Sequence, residues 1–236
     1  MLKGLVVSAA VVVGLAAVAD LGLAAVAGSA VGKAVQRSEG MSEEPDVTFR
    51  GYPFVTQAVR GRFREVDVTA RDVRVEGLNF TRVEADLRGV RVGLSDALAG
   101  EVEAVPVDSG TATVFLDYVD LNAYLESRPG SPRVTAGAGA LVVRSSIGVP
   151  GRGSVPVEGT GTPRVTERGV VVTVTGVRAL SGPALPVAAV ASSAARLSFT
   201  ISTSGLPFGI TLQAVEVAAD ALRFSASARG VVIRTR

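Results

Sequence analysis

An α+β fold, with long strands and short helices on one side, follows from three features of the chain. From Asp46 to Arg236 apolar and polar residues alternate mostly with period two, the mark of half-buried strands. Three short helical segments interrupt those strands, and an apolar run precedes them all. A faint internal echo adds a third feature. Gly51-Tyr52-Pro53-Phe54 leads to Val66-Asp67-Val68-Thr69-Ala70, and Gly205-Leu206-Pro207-Phe208 leads to Val215-Glu216-Val217-Ala218-Ala219. Each copy continues with an apolar-Arg-apolar triplet and closes on a Gly-Val strand, which suggests two related curved β-units in one domain.

The N-terminus is an apolar run, Leu5 to Ala19, broken only by Ser8 and Gly14 and led by Lys3. Its 15 residues match a signal-peptide core better than a full span, which needs roughly 20. Ala17-Val18-Ala19 before Asp20 fits a small-x-small cleavage site. The apolar character resumes from Leu21 to Val31, so an uncleaved anchor with Asp20 near the outer interface stays open beside cleavage. A buried helix of a cytoplasmic protein is the bland alternative. Under either export reading the leading Lys keeps the N-terminus inside and places residues after about 38 outside. Gly28-Ser29-Ala30-Val31-Gly32 is a small-xxx-small pattern suited to helix–helix contact, although an Ala/Gly-rich segment also generates it by chance.

The first helix is expected over Pro53 to Val59, with Pro in the first turn where its missing N–H costs nothing. Asp120 is a natural N-cap for a second, Leu121 to Ser127. The longest, Pro186 to Leu197, has a Val/Ala surface able to lie closely against a sheet. Among the strands, Ala112, Val114, Leu116 and Tyr118 alternate with Thr111, Thr113, Phe115 and Asp117. Leu197, Phe199 and Ile201 alternate with Ser198, Thr200 and Ser202, and Ile210 and Leu212 with Thr211 and Gln213. Val170 to Val174 is a continuous Val/Thr run, expected to be covered on both faces. Turns are expected at Asp108-Ser109-Gly110, Arg128–Pro132, Gly151-Arg152-Gly153 and Gly159–Pro163. Arg128–Pro132 separates two halves, each small for a self-sufficient β-domain. The expected organisation is therefore an N-terminal signal or anchor helix over 1–37 and one β-rich domain over 38–236.

Composition excludes several chemistries. The chain has no His, Cys or Trp. Without His there is no Ser-His-Asp triad and no imidazole base. Without His and Cys the usual zinc, copper, haem and iron–sulfur sites are ruled out, as are disulfides and lipidated cysteines. No cofactor or metal is expected. Of 24 basic and 22 acidic residues, Lys3, Lys33, Arg37 and Asp20 lie in the first 37 positions, so the remainder is neutral. It offers no net basic footprint for nucleic acid.

The remaining candidates each have a plainer reading. Ser95-Asp96 in Leu94-Ser95-Asp96-Ala97-Leu98 offers a hydroxyl and an acid, but Ser95 reads better as the cap of a helical turn. Asp117 and Asp120 lack the other carboxylates of a calcium loop. Gly159-Thr160-Gly161 resembles a phosphate loop, but Pro163-Arg164-Val165-Thr166 follows it as a strand where a helix is required. Tyr52, Phe54 and Phe208 beside their glycines read as a binding mouth or, more simply, as core plugs.

Gly51-Tyr52-Pro53-Phe54-Val55-Thr56-Gln57, Gly61-Arg62-Phe63, Val66–Ala70, Leu94–Leu98 and Gly205–Gly209 together resemble the actinobacterial LmeA-like family of cell-envelope proteins, named for lipomannan elongation. The resemblance covers about residues 20 to 236. It implies a strongly curved, mostly antiparallel sheet wrapped around a long helix, similar to tubular lipid-binding (BPI-like) domains and preceded by the N-terminal apolar helix. It also implies phospholipid binding at the outer side of the cytoplasmic membrane, with phospholipid and membrane as partners and no catalytic residues. On such a fold one apolar face lines a tunnel. The candidate lining residues are Val114, Leu116, Val172, Val174, Leu197, Phe199, Ile201, Ile210 and Leu212, with Phe54 and Phe208 at the two ends. The reading that follows is an exported lipid-binding or lipid-shuttling protein supporting envelope lipid or lipoglycan biogenesis. Its alternative is a non-catalytic structural or interaction module.

Overall fold

Residues 2–39, 41–75, 77–93, 104–149, 153–167, 169–202 and 211–234 are described by the computed structural model of the chain. Ser95 and Asp96, Gly151 and Arg152, Gly205–Gly209 with Phe208, and Ile210 lie outside the described residues. The elements run α1 (Leu2–Glu39), β1 (Asp46–Arg50), α2 (Phe54–Val59), β2 (Arg62–Val75), β3 (Leu78–Arg91), β4 (Ala104–Asp117) and α3 (Tyr118–Leu125). There follow β5 (Arg133–Ala136), β6 (Leu141–Val149), β7 (Gly153–Thr166), β8 (Gly169–Ala179), α4 (Val187–Leu197), β9 (Phe199–Ser202), β10 (Thr211–Val217) and β11 (Ala221–Arg234). One sheet has the order β1-β2-β3-β4-β11-β10 and the other β5-β6-β7-β8-β9. The fold is sheet-rich α+β with an N-terminal apolar helix, as expected. The long helix enclosed by a sheet is not among the described elements: α1 touches β1 and α2, and the other described helices have 6, 8 and 11 residues.

The residues group into two compact units, Met1–Arg71 with Glu84–Ala112 and Ala228–Arg236, and Asp72–Val83 with Thr113–Ser227. In the first, α1 lies against β1 because two glycines let the backbones meet. A Cβ on Gly28 would sit 2.1 Å from the Val47 carbonyl oxygen, and one on Gly32 would sit 2.4 Å from that of Pro45. The small-xxx-small pattern thus serves a contact within the chain. Asp20 does not sit at a free interface: it is buried, and its carboxylate accepts the N–H groups of Phe54 at 2.6 Å and Val55 at 2.9 Å. It satisfies two of the orphan donors at the start of α2. Pro53 is the N-cap residue there. The core of this unit gathers Val47, Phe54, Phe63, Val66, Val90 and Val107. Phe49, Phe54 and Phe63 form an aromatic trio with centroids 4.8–6.0 Å apart.

In the second unit the five-stranded sheet is antiparallel at every pairing, and α4 packs on β8 and β6. Several local expectations change. Gly159–Pro163 is not a turn but the middle of β7, and Asp108–Gly110 lies within β4. On β7 the buried positions are Val155, Val157, Gly159 and Gly161. The two glycines sit where neighbouring valines need room. A Cβ on Gly159 would meet Val174 Cγ1 at 2.7 Å, and one on Gly161 would meet Val143 Cγ2 at 2.9 Å and Val172 Cγ1 at 3.0 Å. Pro163 is tolerated because β6 ends opposite Gly161, so one flank of β7 needs no N–H at that point.

The Val170–Val174 run is fully covered on one face only: Val170, Val172 and Val174 are buried, while on the other face Val171 is half-buried and Thr173 exposed. Gly176, at φ 62°, marks a bulge where the pairing shifts, and Val177 returns to the buried side. The N-cap of α3 is Asp117, not Asp120. Asp120 lies in the first turn and accepts hydrogen bonds from Asn79 Nδ2 at 3.1 Å and Thr81 Oγ1 at 3.3 Å. Arg128–Pro132 joins α3 to β5 inside this unit and divides nothing. The internal echo also parts here. Val66 to Val75 is one strand, whereas Val215 to Phe224 bends through a turn in which the Ala218 N–H donates to the Ala221 carbonyl at 3.0 Å.

Candidate functional site

The described residues offer two surfaces to weigh. The first is the expected apolar stripe, which falls in the second unit apart from Phe54. Val114, Leu116, Val172, Val174, Leu197 and Ile201 each keep 2% or less of their surface exposed. Leu212 is buried as well, and Phe199 is half-buried. Strand pairing brings two of them together, Val172 opposite Phe199, while Ile201 stands opposite buried Val170. Leu197 reaches the buried side from the last turn of α4, where the expected helix over Pro186 to Leu197 also placed it, and is not part of the strand that carries Phe199 and Ile201. Side chains this well shielded border no water-sized void. Phe54 is in the first unit, packed into the aromatic trio.

The second surface is a pocket of about 350 Å³ in the first unit, lined by Tyr52, Pro53, Thr56, Gln57, Arg60, Arg62, Phe63, Arg64 and Gly89. Its frame is set by hydrogen bonds made inside the motif. Buried Gln57 donates from Nε2 to the Gly51 carbonyl at 2.8 Å and accepts the Arg64 N–H on Oε1 at 2.8 Å. One amide thereby ties the turn before α2 to the start of β2. Gly61, at φ +59°, permits the tight connection between them, where any Cβ would lie 2.7 Å from the Val92 carbonyl oxygen.

Three arginines and no carboxylate line this pocket. Arg62 reaches Asp108 at 3.4 Å, and Asp108 also pairs with Arg91. Among the described residues neither Arg60 nor Arg64 has an ion-pair partner. Tyr52 is exposed at the rim while Phe54 is buried, so the two aromatics of the motif divide between mouth and core. The neutral charge balance of the region after residue 37 hid this cluster. Its local signal is the spacing Arg62-Phe63-Arg64, which in a strand puts both arginines on one face and the phenylalanine on the other. No group of residues able to hold a metal ion occurs among the described residues.

A protein-family model described as LmeA-like phospholipid-binding matches residues 18–227. No match was found among curated proteins or among solved structures. The matched region starts just before Asp20, whose buried carboxylate accepts the Phe54 N–H.

Proposed function

We propose that this chain, which belongs to the LmeA-like phospholipid-binding family, is an exported, membrane-associated protein that holds a phospholipid and does no chemistry on it. The observation that carries this reading is the family match across residues 18–227. Lys3 ahead of an apolar run supports export. By length and composition alone the part of α1 over Ala17–Arg37 is apolar enough to cross a membrane; in this fold its Gly28–Gly32 face lies on β1 and most of the rest is uncovered. Val18, Leu21, Leu23 and Val26 are exposed on it, which is costly in water and favourable in a bilayer. A role in shuttling lipids for envelope or lipoglycan biogenesis is the finer form of the proposal.

For the acyl chains the candidate lining is the stripe of Val114, Leu116, Val172, Val174, Leu197, Phe199, Ile201 and Leu212 in the second unit, with Phe208 and Ile210 as further candidates, and separately Phe54 in the first unit. Each methylene taken from water into it contributes about 0.8 kcal/mol. That gain offsets the loss of contacts between side chains that part. The second reading, a structural or interaction module, is favoured by the shielding of those same side chains, since a filled core needs no ligand. A mass spectrum of lipids extracted from the purified protein separates the two. A co-purifying phospholipid in near-equal molar amount supports lipid binding, whereas a lipid-free protein with a stable protein partner supports the module.

A further inference from the structure

We propose that the pocket framed by the Gly51–Pro53 turn, α2 and the start of β2 binds the phosphate group of a phospholipid headgroup through Arg60 and Arg64. This inference rests on the phospholipid-binding reading and names the place and chemistry of recognition. Arg60 closes the C-terminal end of α2, and Arg64 lies two residues after Arg62 on the exposed face of β2. Three guanidinium groups converge on one pocket without a carboxylate in its lining. Arg62 is already engaged with Asp108 at 3.4 Å. Arg60 and Arg64 keep their planar donor forks available, and that geometry matches phosphate oxygens in bidentate fashion. The Thr56 hydroxyl and Tyr52 complete the rim.

The neighbouring surface favours a lipid over a free anion. Val55 and Val59 lie four residues apart on α2, side by side with Thr56 and Arg60, which are also four apart and line the pocket. Val59 is 72% exposed, Val55 43% and Tyr52 55%. An apolar strip thus adjoins a basic pocket, the pairing required by a molecule with a phosphate at one end and hydrocarbon at the other. A volume of about 350 Å³ lies at the small end of the range for ligand pockets, enough for a headgroup and not for its acyl chains. The frame is fixed before binding, because the buried side chains of Gln57 and Asp20 hold α2 and the start of β2 through hydrogen bonds.

The test uses the full chain and three soluble probes in calorimetric titrations: dihexanoylphosphatidylglycerol, dihexanoylglycerol, which lacks the phosphate, and inorganic phosphate. The expected result is tightest binding of the phosphatidylglycerol, with an R60A/R64A variant binding it about tenfold or more weakly. That loss should shrink as salt rises. Arg71→Ala, an exposed arginine outside the pocket, is expected to behave as wild type. Should R60A/R64A melt well below wild type, Arg60→Ala alone serves, its side chain being at a helix end and exposed. Undiminished binding of the phosphatidylglycerol by a folded variant overturns the pocket assignment and leaves lipid binding by the chain intact. Inorganic phosphate binding as tightly as the lipid overturns the headgroup assignment in favour of a simple anion site. Failure of the wild type to bind either lipid overturns both this inference and the phospholipid reading beneath it.

Discussion

Gly28 and Gly32 of α1 and Gly159 and Gly161 of β7 are two pairs of glycines at helical and strand spacing, and they solve different packing problems. In α1 the missing side chains admit a backbone, the carbonyl groups of Val47 and Pro45 in and beside β1. In β7 they admit side chains, the methyl groups of Val174, Val143 and Val172. A carbonyl fixed in its strand cannot move aside, whereas a valine on a neighbouring strand has some freedom to shift. The two regions differ in what they leave outside as well. Around α2 charge and apolar surface remain exposed beside each other, while the five-stranded sheet hides nearly all of its apolar face.

The largest effect is expected at Gly28. Replacing an exposed helical glycine by alanine normally stabilises by about 1 kcal/mol, and Gly22, with nothing within 4 Å of its Cβ position, should show that gain. Gly28→Ala should reverse the sign and cost about 3 kcal/mol, because its Cβ would meet backbone. Thermal unfolding of the two variants followed by circular dichroism checks this, and equal gains would break the contrast. Next comes Val114→Trp, which puts an indole into a shielded stripe. It should cost the lipid-free protein about 1–3 kcal/mol and weaken binding of a fluorescent phospholipid. Unchanged stability would mean that spare volume already exists beside Val114.

Gly161→Ala should cost less, about 1 kcal/mol, since its contacts at 2.9 Å and 3.0 Å are with valine methyl groups. A loss as large as that of Gly28→Ala would show that the β7 face is as rigid as the α1–β1 seam. The smallest effect concerns Glu158 on the opposite face of β7. Hydrogen bonds from Arg144 at 2.8 Å and Arg178 at 2.6 Å hold its carboxyl below the usual carboxylate range. A group with its folded pKa lowered adds stability above its unfolded pKa and loses it as pH falls through the folded one. Glu158→Gln should therefore be slightly less stable than wild type at neutral pH. The difference should vanish in acid, as urea midpoints at several pH values will show.

Much of the secondary structure was legible because it is local. α2 and α4 lie within one residue of their expected ranges, and the Ala112–Leu116 alternation marks the buried face of β4. What was misread depends on partners distant in sequence. Gly159-Thr160-Gly161-Thr162-Pro163 and Asp108-Ser109-Gly110 carry the local chemistry of turns. Only Val174, Val172 and Val143 on adjacent strands explain why Gly159 and Gly161 stay extended. Asp20 looked like an interruption of an apolar segment because the N–H groups it accepts lie 34 and 35 residues later. The arginine cluster was lost in a charge balance summed over the domain, although the Arg62–Arg64 spacing placed two of its members on one face. The apolar stripe was legible as a pattern, but its packing in the folded chain was not.

The central claim is that this fold holds one phospholipid, and native mass spectrometry of the intact purified chain tests it most directly. The account predicts a species heavier than the bare chain by the mass of a single phospholipid, present after purification or after incubation with phosphatidylglycerol vesicles. Finding only the bare mass under both conditions, from protein with a cooperative unfolding transition, would contradict it.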